Sequence, residues 1–249
     1  MLESAHGGVF TDRLAVAGSE DQLLYGALVL LSNTMQSHAL VSYTGTGTRL
    51  GLELLSAQRV DASCLHWRPL DESLQQHPAL LQNHTKLQNC WVLVRAFKRE
   101  RVMIIHPGLK TDDLSTEALL RSELKWGIRQ DGKGTLHFLN EILTQHGMKN
   151  KDLYSTVNIF SNRETATLIV SGQADAAPGT RGVAAEFGLT FINLGWEALD
   201  FAVRRDVYFR KLFQKFLEQL RVPEILKQAK KLGGYDYGET GKLICGGDN

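Results

Sequence analysis

The sequence predicts an α/β fold in which helices cover a parallel sheet, and three observations carry that prediction. Strand-like apolar runs alternate with amphipathic helical stretches along most of the 249 residues. Three of the strand-to-helix junctions are rich in glycine and hydroxyl side chains. An x-Asp-Ala step follows a helix in each half of the chain, at Asp61-Ala62 and again at Asp175-Ala176, so the two halves are expected to be built alike. With 43% hydrophobic residues the chain can bury one large α/β domain or two smaller lobes.

The elements follow in order. An alternating run from Leu14 ends at Gly18, and Ser19 with Gln22 matches a capping box ahead of an apolar helix, Leu23 to Leu31. A second strand from Leu40 breaks into Thr44-Gly45-Thr46-Gly47-Thr48 before a helix from Arg49 to Gln58. After the strand at Asp61 to Leu65, the stretch from Trp67 to Lys86, with Pro69 and Pro78, reads as a polar surface loop. Trp91 to Phe97 and Arg101 to Ile105 read as paired strands around a charged turn, Lys98-Arg99-Glu100. The second cycle runs through Trp126 to Arg129, a helix from Leu136 to Gln145, Val157 to Phe160, a helix from Arg163 to Ser171 and a strand from Ala174 to Ala177. Finally Asp206 to Leu220 has the period of an amphipathic helix, with Phe209, Phe213 and Phe216 as core packing. Two lobes with separate sheets are expected, joined by crossings near Val92 to Phe97 and Leu194 to Val203.

The junction most suited to a ligand is Gly127-Ile128-Arg129-Gln130-Asp131-Gly132-Lys133-Gly134-Thr135. Glycines let backbone N–H groups converge, Thr135 adds a hydroxyl at a helix start, the helix dipole favours negative charge and Arg129 supplies a full positive one. Each junction alone is explained by ordinary capping. Three together point to helix N-termini converging on one anion at the carboxyl ends of the strands. Thr180 and Arg181, after Pro178-Gly179, read either as a further helix start in that cleft or as a surface turn.

Several functions are set aside. A formal charge of +1, with Lys and Arg scattered, argues against direct nucleic-acid binding. Cys64, Cys90 and Cys245 are odd in number and sit at no metal-ligand spacing, and Cys64-x-His66 with His77 and His84 makes no zinc pattern, so a reduced compartment and no metal are expected. No signal-like segment opens the chain and no run is long enough for a bilayer, which makes a cytoplasmic location and no membrane contact the expectation. Gly45-x-Gly47-x-x-x-Gly51 lacks the third glycine of a dinucleotide turn, and neither a phosphate loop nor a nucleophile elbow is present, so no catalysis is expected.

Gly18-Ser19, Thr46-Gly47-Thr48, the stretch Arg129-Gln130-x-Gly132-x-Gly134-Thr135, Ser171-Gly172-Gln173-Ala174-Asp175-Ala176 and the tail Gly233-Gly234-Tyr235-Asp236-Tyr237 together resemble the type II periplasmic-binding-protein fold. The chain is similar to the PBP-like sensor domains often fused to a helix-turn-helix, and to tungstate- and molybdate-binding transport proteins. The resemblance implies a two-lobe α/β fold, with lobe 1 at 1–93 and 196–249 and lobe 2 at 94–195. It implies no cofactor other than a bound oxyanion, molybdate or tungstate first, held by Ser19, Thr46, Thr48, Arg129, Gly134 and Thr135; Gly47 and Arg181 join these as candidates from the reading of the junctions themselves. Gln130 and Lys133 stand where the tungstate group has glycine and serine, so a hydroxyl is lost and a cation gained. Expected partners are the small anion and a helix-turn-helix segment, fused or separate. The roughly dozen residues before the first strand are too few for that segment, so a free-standing sensor and a chain parted from its DNA-binding portion both stand. A regulatory domain for an organic acid, and a transport protein without its signal peptide, are the alternatives.

Overall fold

The computed structural model describes residues 12–67, 81, 91–109, 115–129 and 134–246. The first half opens with β1 (Asp12–Gly18), α1 (Gln22–Met35), β2 (Ala39–Gly45), α2 (Thr48–Ser56) and β3 (Ala62–Trp67), followed by the long β4 (Trp91–Ile105). The second half contains α3 (Thr116–Leu120), β5 (Lys125–Arg129), α4 (Gly134–Gln145), β6 (Ser155–Ile159), α5 (Asn162–Val170), β7 (Ala176–Thr180) and α6 (Arg181–Glu186). The long β8 (Thr190–Arg204) leads back to α7 (Arg205–Tyr208), α8 (Lys211–Gln219), α9 (Pro223–Leu232), β9 (Tyr235–Asp236) and β10 (Leu243–Gly246).

The sheet order is β2-β1-β3-β8-β4-β7-β5-β6, with β9 and β10 paired to β4. Within each half the strands are parallel: β1 pairs β2 and β3, and β5 pairs β6 and β7. The long strands pair antiparallel with each other and with β3 and β7. Two sequence-based expectations are therefore corrected. The sheet is mixed rather than wholly parallel, and the two lobes do not have separate sheets, because β4 and β8 run through both and make one continuous ladder. Its register shifts at Arg95/Phe97 and Arg101/Val102, where the ladder passes from one half to the other.

The likeness of the halves has an atomic basis. The Asp61 carboxylate accepts from the Ala15 N–H at 2.8 Å while its own N–H donates to the Ala15 carbonyl at 2.8 Å. Asp175 does the same to Lys125, at 2.8 Å and 2.7 Å. In both halves the x-Asp-Ala step thus clamps the next strand to its parallel neighbour.

Helices cover both faces. On one side of the first half, α1, α8 and α9 pack Leu24, Leu28, Phe213, Phe216 and Ile225 against Val94 and Phe201 of the sheet. On the other, Leu52 and Leu55 of α2 meet Leu65 and Leu93. In the second half, Leu119, Leu139 and Leu143 pack around Trp126 on one face, and Ile169 and Val183 against Ile104 on the other. The expected C-terminal helix divides into α7 and α8, and Phe209, between them, is 71% exposed, whereas Phe213 and Phe216 are buried. The loop at 67–86 lies outside the described residues except Trp67 and Leu81.

The Lys98-Arg99-Glu100 turn is also corrected, since these residues continue β4 as one strand of 15 residues. Charge suggested a solvated turn. Arg99 and Glu100 are instead buried and paired inside the molecule.

Candidate functional site

Parallel register brings the first-half junctions together. Gly18 is level with Gly45 and with Cys64, so Ser19, Thr46 and His66 follow at the same carboxyl edge. Gly18 has φ +114°, and an added Cβ would overlap the Cys64 carbonyl, so only glycine lets β1 turn there. The turn is fixed by Ser19 N–H donating to Cys64 O at 2.8 Å and by Thr46 and Gly47 N–H groups donating to Gly18 O at 3.0 and 2.9 Å.

Ser19 is buried, and its Oγ lies 2.6 Å from His66 Nδ1 and 3.1 Å from Thr48 Oγ1. The His66 N–H also donates to Thr48 Oγ1, at 3.4 Å. Ser19 is therefore not the helix cap that its spacing suggested. Asp21 caps α1, accepting from the Leu23 N–H at 2.8 Å, and Ser19 is left for the cluster. Thr46 serves the backbone, with Oγ1 accepting from the Gly18 N–H at 3.1 Å, and Gly47 precedes α2 with no side-chain cap.

Beneath this cluster lies a band of charge on the two long strands. Arg99 donates to the Asp21 carboxylate at 2.8 Å, to Glu197 at 2.7 Å and to the Glu20 carbonyl at 2.7 Å. Arg101 lies 3.7 Å from Glu197 and over the Phe138 ring at 5.0 Å, which ties the start of α4 to the middle of β4. Burial would raise the Glu197 pKa, but Arg101, Arg99 and His66 together outweigh it and hold the carboxyl at about 2. Arg95 forms a further buried pair with Asp200 at 2.5 Å. None of these charges was singled out from the sequence. The available signal was the two-residue spacing of Arg99 and Arg101 between the apolar runs Trp91 to Val94 and Val102 to Ile105, which puts both on one face of a strand.

The structure does not bring every expected residue to the cluster. Arg181 pairs with Glu100 at 2.8 Å and stacks over Phe191 at 5.7 Å. Thr180 caps α6 through the Val183 N–H at 3.4 Å. Arg129 ends β5 and Gly134 and Thr135 begin α4, but their side chains, with residues 130–133, lie outside the described residues.

The halves also touch across the cleft. The Asn162 N–H at the start of α5 donates to the Glu20 carboxylate at 3.2 Å, and Asn162 Nδ2 donates to the Glu20 carbonyl at 3.1 Å. Glu20 reaches there over Gly45, where any Cβ would collide with its carboxylate. Beside this bridge is a cavity of about 490 Å³ lined by Tyr25, Tyr43, Asn162, Thr180 and Gln228 among others. Among the described residues no group of His, Cys, Asp and Glu could hold a metal ion, and no helix is long and apolar enough to cross a membrane.

Comparison with known proteins agrees with this architecture. No curated protein matches the sequence. Among solved structures, the chain is similar to a putative phosphate ABC transporter substrate-binding protein from Clostridium perfringens, with bound phosphate (TM-score 0.66, 9% identity, 90% of this chain and 99% of that one). It is also similar to the regulatory domain of MetR, a LysR family regulator from Neisseria meningitidis (0.63, 12%, 90% and 97%). A third is the tungstate ABC transporter from Geobacter sulfurreducens (0.58, 16%, 88% and 97%). At such identities the likeness is one of fold. A model of the PBP superfamily domain matches residues 31–221, and the chain belongs to that superfamily, with its two-lobed type II α/β fold.

Proposed function

We propose that this chain is a ligand-binding domain that captures a small tetrahedral oxyanion between its lobes and signals by closing, without chemical change to the ligand. The observation that carries the reading is the convergence of Ser19, Thr48 and His66 at the ends of adjacent β1, α2 and β3, directly beside Arg101 and Glu197 of the long strands. Hydroxyls and helix N-termini solvate an anion without adding negative charge of their own. The two transport proteins of this fold, one described with bound phosphate and one as a tungstate ABC transporter, support an anion, and molybdate or tungstate stands first by the Arg129 stretch.

On this reading lobe 1 spans 1–93 and 196–249 and lobe 2 spans 94–195. Thr46 and Gly47 shape the lobe 1 wall, while Arg129, Gly134 and Thr135 approach from lobe 2. Arg181 holds Glu100 and acts on closure rather than as a direct ligand. The regulatory relative favours a cytoplasmic sensor that reports to a DNA-binding partner, and the transport relatives favour a delivery role for the same site.

Calorimetric titration with molybdate, tungstate, sulfate, phosphate and a set of small organic acids tests the proposal. An oxyanion should bind one to one, and Arg129→Met should weaken it roughly 10- to 100-fold, the loss of a charge-assisted hydrogen bond. An organic acid binding while no oxyanion does would replace this reading. Equal affinity in Arg129→Met would remove Arg129 from the site.

A further inference from the structure

The proton count within the hydroxyl cluster has a consequence for any anion that enters it, given the reading above. Each hydroxyl owns one hydrogen. When His66 Nδ1 carries no proton it can only accept, so the 2.6 Å contact takes the hydrogen of Ser19. Thr48, already accepting from the His66 backbone N–H, then gives its hydrogen to Ser19 across 3.1 Å. In that state the pair offers the cleft oxygen lone pairs alone, which repel an anion. When Nδ1 bears a proton the chain reverses. His66 donates to Ser19, Ser19 in turn to Thr48, and the hydrogen of Thr48 is released toward the cleft.

We infer that oxyanion capture is coupled to protonation of His66, which turns the Ser19–Thr48 pair from self-bonded to ligand-donating. The surrounding charge agrees with this. Arg99 and Arg101 on β4 are matched by Asp21 at the head of α1 and Glu197 on β8, two cations against two carboxylates, so the described groups do not offset an added dianion. Asp200 on β8 is taken by Arg95 of β4. Cys64 on the same strand as His66, and Tyr43 of β2, which donates to the Ser19 carbonyl at 2.6 Å, are both pushed well up by burial and stay neutral. Protonation of His66 adds one positive charge to these described groups, beside the Arg129 proposed above for the same anion. A neutral Nδ1–H tautomer would free that hydrogen too, but its unprotonated Nε2 would share the region with the ionised Glu197, whereas an imidazolium is attracted to it.

The test uses the intact chain with sulfate, molybdate and tungstate, whose dianionic forms persist from about pH 6.5 to 9, in two buffers of different ionisation enthalpy. Affinity should fall by up to about tenfold per pH unit above the pKa that His66 has in the unliganded protein, and the apparent enthalpy should differ between buffers by the uptake of up to one proton. His66→Gln, which keeps a donor without a titration, should bind with affinity flat in pH. Should that variant lose binding altogether, ¹⁵N shifts of His66 in the unmodified protein decide, imidazolium on saturation supporting the inference and an unchanged neutral ring overturning it. Binding that is independent of pH and buffer in the unmodified protein would overturn the inference and leave anion capture standing. No binding of any oxyanion at any pH would overturn both.

Discussion

The two halves share a scaffold and differ in what their helix starts are used for. Asp61 and Asp175 make the same reciprocal clamp on a parallel neighbour, and each half orders its first three strands alike. In the first half the junction hydroxyls bond to one another and to His66. In the second, α5 closes its own start with a capping box, Ser161 with Glu164, and spends its next residue, Asn162, on Glu20 of the other half. A repeated fold therefore fixes where the helix starts lie. The residues at those starts decide whether they bond to one another, cap their own helix or hold the opposite lobe.

The largest effect should come from the charged band common to both halves. Arg99→Met leaves Asp21 and Glu197 buried without their shared cation, at a cost of about 3–5 kcal/mol, read as a lower urea midpoint. The band also sets the acid limit. Glu197 titrates at about 2 in the folded chain and near 4.3 when unfolded, so its contribution is complete above the unfolded value and is lost as pH falls toward 2. Urea midpoints measured from about pH 6 to 2 should drop through that window. A midpoint that holds steady there would mean that Glu197 is not held ionised by the arginines.

Next in size, Asp61→Ala and Asp175→Ala each remove a carboxylate that accepts a strand N–H, and each should lower stability by about 1–3 kcal/mol. Similar losses would support the equivalence of the clamps. A loss at Asp61 alone would show that its additional contacts with Arg13 and Arg210 matter more than the repeat. Smaller again is the cross-lobe bridge. Glu20→Ala should cost about 0.5–1.5 kcal/mol or less and shift the unliganded chain toward an open form, seen as a larger radius of gyration in small-angle X-ray scattering. Phe209→Ala, at an exposed position between two helices, should change stability by less than about 0.5 kcal/mol.

Sequence reading recovered what repeats and what has a period. The alternation of strands and helices, the glycine-rich junctions and the paired x-Asp-Ala steps were all legible, because backbone geometry demands those residue types at those places. Charge inside a strand was not. Lys98-Arg99-Glu100 has the composition of a turn, and only partners from α1 and β8, roughly 80 and 100 residues away in sequence, make burial of Arg99 tolerable. Ser19 failed as a cap for a related reason, since Asp21 competes for the same helix start and the parallel register delivers His66 and Thr48 to Ser19 instead. Nothing local in the sequence announces that meeting. His66 could have been suspected only by aligning the ends of β1, β2 and β3, which needs the strand order first.

The proposed reading has the hydroxyls gathered in the first half, rather than the cavity beside Tyr25, receive the anion. Crystals of the protein grown with tungstate and recorded at the tungsten absorption edge test it most directly. One strong anomalous peak is expected, with its oxygens about 2.6–3.2 Å from Ser19 Oγ and Thr48 Oγ1. A peak within the cavity lined by Tyr25 and Gln228, or no ordered tungsten in the cleft at all, would contradict it.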